Sequence, residues 1–335
     1  MSLIYSPTMM LTLLTLILST LMALSSANWI LLWGAMELNL LSFIPILMQT
    51  KTNQEIEGSV KYFLAQALGS ALLLISSTSL WMPFSSTPSI LPILLTTAIL
   101  LKLGSVPCHF WYPSVMASVS WTSCLILSTW QKLAPLSILA FLLTQKNMQF
   151  IMVMSGINAL LGGIMGMNQS QLRTIMAYSS IGHIGWMLSL IVIFKANASI
   201  MYFLIYSVMI TPLFMTMNYF NIKSTKQMNI SSSYNMILYT MMIMLMLSLG
   251  GLPPLTGFMP KLMTIMFLMY EMKILVLMLI MGSVMNLYFY LNIVINMMFS
   301  KTTLKIYAPM SKSIVSNLTL LISMISLGMS PLIMM

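Results

Sequence analysis

Four ionisable side chains lie within long apolar segments of this sequence, in positions where a proton relay could use them. They are Glu37, Lys102, Lys132 and Lys261, and each is flanked mainly by apolar residues. A charge at the centre of a bilayer costs about 2.5–3.5 kcal/mol even on lenient insertion scales, so such groups need protein or water around them. Low polarity makes a lysine release its proton more readily and a glutamate hold its proton more tightly. The set is therefore typical of groups that change charge during proton transfer.

Two further bases extend this set. His183 lies in the middle of an apolar stretch and titrates in the physiological range, so it is a relay candidate. Lys61 lies near the start of a predicted span, where it either joins the relay or extends to the membrane interface. His109, beside Pro107, is a weaker candidate.

A static role is the alternative for these charges. Glu37 would then form a permanent pair with Lys61 or Lys102 and fix the packing of helices. One acid cannot neutralise three or four lysines, however, and this mismatch favours lysines that lose their charge. The remaining acids and one nearby base are predicted to be solvated loop charges: Glu55, Glu57, Glu271 and Lys273.

The composition shows what kind of protein must hold these groups. Of 335 residues, 59% are hydrophobic and only 5% are charged, against about 25% in a soluble domain. The mean hydropathy is +0.97. Soluble enzymes and disordered proteins are therefore excluded. The 14 basic residues are thinly spread rather than clustered, which also excludes a nucleic-acid binder despite the net charge of +10.

The gaps between charges predict an all-α polytopic membrane protein, because a spanning helix needs about 20 apolar residues. Turn residues divide the longest gaps further. The whole chain, 1–335, is predicted to form a single membrane domain. Its eleven predicted spans are 5–24, 28–48, 60–80, 90–111, 121–143, 149–167, 174–194, 199–220, 236–268, 274–298 and 314–334.

Basic residues in the connections predict the orientation of these spans. Seven lie in the even-numbered connections and three in the odd-numbered ones, which favours an N-terminus on the cytoplasm-like side. The C-terminus would then lie on the opposite side. In a mitochondrion, the N-terminal side is the matrix. The two sets are Lys51, Arg173, Lys223, Lys226, Lys301, Lys305 and Lys312, and Lys146, Lys195 and Lys273.

Two predicted spans, the fourth and the ninth, contain glycine and proline beside a lysine. Residues 101–107 read LKLGSVP, and residues 250–261 read GGLPPLTGFMPK. Proline removes a backbone donor and interrupts a helix, and the freed carbonyl groups need protein or water. Because five spans separate the breaks, they predict two inverted five-helix repeats, 1–145 and 146–300, followed by a C-terminal loop and helix over 301–335.

Other chemistries find no support in the sequence. The two cysteines, Cys108 and Cys124, cannot supply the four ligands typical of an iron–sulfur cluster, and a structural zinc site is equally disfavoured. Motifs for nucleotide, zinc or serine-hydrolase chemistry are missing. We therefore expect neither a cofactor nor a metal in this chain.

Five segments together resemble the antiporter-like membrane-arm subunits of mitochondrial NADH:ubiquinone oxidoreductase, respiratory complex I. The resemblance extends from about residue 30 to 300. It is carried by residues 171–187 (QLRTIMAYSSIGHIGWM), residues 250–261, residues 130–135 (WQKLAP), residues 101–104 with 109–111 (LKLG and HFW), and residues 60–64 (VKYFL).

The resemblance implies a proton-translocating subunit in the mitochondrial inner membrane, assembled with other membrane-arm subunits and lipid and not a free monomer. NADH, FMN, iron–sulfur clusters and ubiquinone are expected in other subunits. It also implies an eleven-helix form with its N-terminus in the matrix. The family's hydrated charge axis would correspond to Glu37, Lys61, Lys102, Lys132, His183 and Lys261.

Two alternatives stay open at this stage. One is a stand-alone cation/proton antiporter of the same fold, and the other is a structural scaffold with its charges held in fixed pairs. The sequence also departs from the family at Ser114, where relatives often carry a glutamate after the proline. Any role of that acid is absent here or has moved elsewhere.

Overall fold

The computed structural model describes residues 7–49, 52–81, 90–142, 145–222, 224–227, 236–253, 255–299 and 323. Two compact units make up the chain, Met1–Met154 and Ser155–Met335. In the described part of both units the elements are helices, apart from one isolated bridge between Gln171 and Ser224. The predicted all-α membrane class is therefore confirmed.

The described residues of the first unit form seven helices and the beginning of an eighth. They are α1 (Pro7–Ser25), α2 (Trp29–Leu47), α3 (Asn53–Trp81), α4 (Ile90–Leu103), α5 (Trp111–Ser118), α6 (Trp121–Ser128), α7 (Trp130–Phe141) and α8 (Gln145–Met167). Helices α1 and α2 pack against each other, and α3 packs against α2, α4 and α5. Through these contacts α3 lies beside the first glycine–proline break.

Most of α8 belongs to the second unit, whose described residues also form five further α-helices. They are α9 (Leu172–Val192), α10 (Ala196–Phe220), α11 (Met236–Gly250), α12 (Phe258–Leu268) and α13 (Lys273–Phe299), and a short 3-10 turn covers Thr225–Gln227. Helix α9 is buried along nearly its whole length. Glycine makes this packing close, because a Cβ atom on Gly162 would lie 2.7 Å from the carbonyl oxygen of Tyr178.

Within the described ranges, eight segments are long and apolar enough to cross a membrane, and three shorter apolar helices lie beside the breaks. The first of these shorter helices ends at Leu103, and the predicted span 236–268 is two helices, α11 and α12. The predicted span 121–143 likewise divides at Thr129 into α6 and α7. The eleventh predicted span, 314–334, lies outside the described residues except for position 323.

One prediction about loop charges was wrong. Helix α3 begins at Asn53, seven residues before the predicted span, so Glu55 and Glu57 are both helical. Glu57 is exposed, but Glu55 is only 4% exposed. The error arose because the helix is longer than its apolar core, and its first turn carries polar residues on both faces. Glu271 is exposed in a turn, as predicted, whereas Lys273 is exposed but is the first residue of α13.

Candidate functional site

The first break begins where α4 ends, at Leu103. Gly104 has a φ of +70°, a left-handed conformation that favours glycine, and it turns the chain out of the helix. A Cβ atom at this position would also lie 2.9 Å from the Tyr112 side chain. The chain resumes as a helix at Trp111, seven residues after Gly104. The carbonyl groups at the end of α4 therefore have no partner in a following helical turn and need other donors.

Neutral donors from nearby residues satisfy these carbonyl groups. The Leu100 oxygen accepts bonds from the backbone N–H and hydroxyl of Ser105. The Leu101 oxygen accepts from the backbone N–H of Gly104 and the indole N–H of Trp111, at 3.0 Å each. The Lys102 oxygen accepts from the amide of Gln66 on α3, at 3.1 Å. These three carbonyl groups are thus bonded without the lysine side chain.

The Lys102 side chain lines a small polar cavity in the first unit. The lining comes from α2, α3, α4 and α7, and it leaves about 10 Å³ for the centre of a water molecule. That is close to the minimum that holds one water. Lys102 is 6% exposed. The other lining residues are Met36, Asn39, Leu40, Tyr62, Gln66, Gln131 and Pro135.

Hydrogen bonds connect the walls of this cavity. The Gln131 amide donates to the Asn39 side-chain oxygen at 3.0 Å, and the Tyr62 hydroxyl donates to the Gln131 oxygen at 3.4 Å. Three helices, α2, α3 and α7, are therefore joined by one polar chain. With a water in the cavity, this chain and the Lys102 amine could exchange protons.

Lys132 follows Gln131 in the first turn of α7, at the point where α6 and α7 divide. It is 2% exposed, and its ammonium nitrogen lies 4.8 Å from the centre of the Tyr112 ring. An aromatic face attracts a cation at such a distance. Tyr112 is itself buried beside Gly104, so the first break helps to position Lys132.

Glu37 and Lys61 occupy more open positions. Glu37 on α2 is partly exposed and interacts electrostatically with Lys102. Lys61 lies on the exposed face of α3, where its amine donates to the Glu57 carboxylate one turn earlier. Glu37 thus influences Lys102 electrostatically, and neither Glu37 nor Lys61 lines the cavity.

The second break lies between α11 and α12 in the other unit. Gly251 has a φ of +85° and ends α11. The Lys261 amine, from the first turns of α12, donates to the carbonyl oxygens of Gly250 at 3.0 Å and Leu249 at 3.4 Å. Lys261 is 5% exposed. A cation at a helix C-terminus is favoured by the helix dipole, so this lysine closes the end of α11.

His183 lies within the buried helix α9. Its Nδ1 atom is 2.9 Å from the hydroxyl of Tyr202 on α10, and its ring packs 4.9 Å from that of Tyr206. The hydroxyl fixes the ring's orientation and can exchange a proton with it. His109, beside the first break, packs against Phe110 instead.

Several residues of these sites were missed by the sequence reasoning. Tyr62 and Gln66 share one face of α3 at a spacing of four, so polar residues at helical spacing inside an apolar span were one available signal. Gln131 is the sequence neighbour of the candidate Lys132, which was the other. Tyr112 and Tyr202 gave no such signal. Their roles depend on partners far away in the sequence.

Among the described residues, no group of three or more His, Cys, Asp or Glu side chains is arranged to hold a metal ion. Cys108 is exposed and Cys124 is buried, and neither forms a disulfide. The side chains described above that can carry a proton are lysine, histidine, carboxylate and hydroxyl groups.

Comparisons with known proteins agree with this picture. Residues 26–286 match the family described as NADH:quinone oxidoreductase/Mrp antiporter, transmembrane. The chain is 65% identical to NADH-ubiquinone oxidoreductase chain 2 of Lumbricus terrestris, over 100% of both chains. It is 40% identical to the protein of that name from Equus asinus, over 84% of this chain and 83% of the relative.

Solved structures show the same fold at low sequence identity. A chain of respiratory complex I from Thermus thermophilus superposes with a TM-score of 0.85 at 21% identity, covering 96% of this chain and 77% of that one. A chain of the Mrp complex from Dietzia sp. DQ12-45-1b gives 0.82 at 15% identity, covering 96% and 74%. The resemblance inferred from the sequence motifs is thereby confirmed.

Proposed function

We propose that this chain, which belongs to the NADH-ubiquinone oxidoreductase chain 2 family, is a membrane-arm subunit that translocates protons while other subunits of respiratory complex I transfer electrons from NADH to ubiquinone. The redox cofactors, NADH, FMN, iron–sulfur clusters and ubiquinone, belong to those other subunits. This chain supplies charged groups that gain and lose protons. Its partners are the neighbouring membrane-arm subunits and lipid.

The observation that carries this proposal is the wall of the Lys102 cavity. A buried lysine and a chain of amide and hydroxyl groups meet around a space for one water. The Glu37 carboxylate interacts electrostatically with that lysine. Lys132 follows Gln131 directly and is buried over an aromatic ring. A purely structural ion pair would need neither the cavity nor the second buried lysine.

We assign the relay to Glu37, Lys102 and Lys132 in the first unit and to His183 and Lys261 in the second. The paired, exposed position of Lys61 favours the interfacial alternative for this residue over relay membership. Inverted five-helix repeats, 1–145 and 146–300, with broken helices four and nine of eleven, fit the two breaks.

The chain is then located in the mitochondrial inner membrane. The family name is that of a respiratory-chain subunit, and the eight apolar segments fit a multi-pass membrane protein. The excess of basic residues in the even-numbered connections favours an N-terminus in the matrix and a C-terminus in the intermembrane space.

The stand-alone antiporter is tested by solubilising the membranes in mild detergent and running a native gel. Co-migration with the large complex supports the proposal, and migration as a small monomer or dimer contradicts it. The identity of 65% over the full length to a complex I subunit favours the first outcome.

The relay itself is tested with Lys132→Met in the assembled complex, with the exposed Lys273→Met as the matched control. Losing a proton-transferring side chain typically costs about 10²–10⁴-fold in rate. We therefore expect Lys132→Met, and also Glu37→Gln, to lower the protons translocated per NADH oxidised, while Lys273→Met leaves that ratio unchanged. Wild-type pumping with intact assembly in both variants would instead indicate a structural scaffold.

A further inference from the structure

A stripe of buried polar residues runs along one face of α3, from its first turn to the Lys102 cavity. The stripe contains Glu55, Ser59, Tyr62 and Gln66, which follow each other at spacings of four, three and four. Residues at these spacings lie on one helix face. All four are at most 8% exposed, and the last two line the cavity.

Glu55 is the only acid in this stripe, and it lies at the end of α3 that faces the connection to α2. Glu55 belongs to the first turn, and its backbone N–H donates a hydrogen bond to the Thr52 hydroxyl oxygen at 3.4 Å. The helix dipole favours an acid there, but an exposed acid would gain that benefit without burial. Glu57, two residues later and on the opposite face, shows that an acid near this helix end can stay exposed, with 65% of its side chain exposed. The dipole therefore does not account for the burial of Glu55.

Glu55 and Tyr62 are seven residues apart in the helix, which corresponds to about 10 Å along its axis. Two hydroxyl groups lie between them. Ser59 lies on the stripe itself, and Ser118 of α5 approaches it where Gly58 has no side chain. A Cβ atom on Gly58 would overlap the Ser118 hydroxyl. Glycine at this position thus lets a second hydroxyl reach the same face of α3.

From this arrangement we propose that Glu55 is the proton-loading group of the first unit. Resting on the proposed function above, this inference gives the relay its uptake end. The Glu55 carboxylate takes a proton from water at the end of α3. The proton then passes along Ser59, Ser118, Tyr62 and the cavity water to the neutral Lys102 amine. The transfer ends with a Glu55 carboxylate and a Lys102 ammonium, so charge and protons balance.

The test compares Glu55→Gln with Glu57→Gln in the assembled complex. Glutamine keeps the shape and hydrogen bonding of either acid but cannot carry the proton. We expect Glu55→Gln to lower proton translocation per NADH oxidised to the level of Lys132→Met, and Glu57→Gln to match the wild type. Equal ratios in both glutamine variants, whether both normal or both reduced, would overturn the role of Glu55.

The Lys132→Met variant separates the two claims. If Lys132→Met loses pumping while Glu55→Gln retains it, only the loading role fails. If Lys132→Met pumps like the wild type, the relay fails and the loading role fails with it.

Should Glu55→Gln not assemble, the wild-type complex is treated with a hydrophobic carbodiimide, which modifies protonated carboxyl groups in apolar surroundings. Peptide mass spectrometry then locates the label. Modification of Glu55 but not Glu57, in step with the loss of pumping, supports the proposal. A label missing from Glu55 overturns it.

Discussion

The two helix breaks share a sequence pattern, glycine and proline beside a lysine, yet they use the lysine differently. At the first break, Gln66, Trp111 and Ser105 satisfy the carbonyl groups, and the Lys102 side chain lines a polar cavity. At the second, the Lys261 amine itself donates to the carbonyls of Leu249 and Gly250. The Lys102 amine is thus not used to bond the broken backbone, whereas the Lys261 amine bonds the carbonyl groups at the end of α11.

The same contrast extends to the other bases. Lys132 in the first unit lies over an aromatic ring, whereas His183 in the second is bonded to Tyr202. In this arrangement the second unit holds its bases by direct hydrogen bonds. A proton leaving Lys261 would weaken these charge-assisted bonds at the end of α11, so charge and backbone geometry are coupled at the second break.

Replacing each lysine with methionine gives the largest expected effect. Lys261→Met leaves two buried carbonyl groups without their donor, at a cost of about 1–3 kcal/mol each. Lys102→Met leaves the first break's carbonyls bonded, so we expect loss of pumping with the fold retained. Native gels after heating measure the stability of the assembled complex. If Lys102→Met destabilises the complex as much as Lys261→Met, the two lysines do not have different structural roles.

Gln66→Leu tests whether neutral donors support the first break. The Lys102 carbonyl would lose its side-chain donor, at a cost of about 1–3 kcal/mol, and the cavity would lose a polar wall. We expect lower thermal stability together with reduced proton translocation per NADH oxidised. Gln171→Leu, an exposed glutamine, is the control. Normal pumping in Gln66→Leu would show that the cavity wall is not part of the proton route.

The two positive-φ glycines sharpen the comparison. Alanine in a left-handed conformation costs about 1–2 kcal/mol. At Gly251 the new methyl would lie 2.8 Å from the Lys261 nitrogen and displace it, whereas at Gly104 it would press on the Tyr112 ring.

We therefore expect Gly251→Ala to mimic Lys261→Met weakly and Gly104→Ala to impair pumping through Lys132. Thermal stability and proton stoichiometry, measured together, separate these outcomes. Gly34→Ala is the control, because a Cβ atom there meets nothing within 4 Å. Identical profiles for the two glycine variants would argue that the breaks do not differ.

Tyr202→Phe should have the smallest effect. It removes one neutral hydrogen bond from His183, worth about 0.5–1.5 kcal/mol, while keeping the aromatic ring. We expect nearly normal assembly and a modest fall in proton translocation, with Tyr206→Phe as the control because its ring, not a bond to Nδ1, contacts His183. A larger loss in Tyr206→Phe than in Tyr202→Phe would contradict the assignment of Tyr202.

The sequence was informative where a charge or a helix breaker stood out from an apolar background. Lys102, Lys132, Lys261 and His183 are all buried, as their apolar neighbours indicated. The sequence could not show which groups would satisfy the broken backbone. The bond from Gln66 to the Lys102 carbonyl joins residues 36 apart, and neutral glutamine is common in many settings.

Glu55 shows a different limit of sequence reasoning. The apolar core of the third predicted span begins at residue 60, and the polar residues before it are typical of a loop. Burial of an acid depends on which helix face meets its neighbours. That cannot be read from a single polar turn, because Glu55 and Glu57 are two residues apart and differ completely in exposure.

The enclosed helix α9 has a consequence for how the protein is made. A helix that ends up fully surrounded must first enter the bilayer with lipid on every side. The serines of α9 allow this, because Ser179, Ser180 and Ser189 each donate to the carbonyl three residues earlier in their own helix. Their hydroxyls are thus already satisfied before any neighbour arrives.

His183 differs, because its Nδ1 partner belongs to α10, the next helix to be synthesised. During biogenesis, arrival of Tyr202 would give that nitrogen its hydrogen bond and favour the correct pairing of α9 with α10. The same bond would then act first as a docking signal in membrane insertion and later as part of the finished subunit.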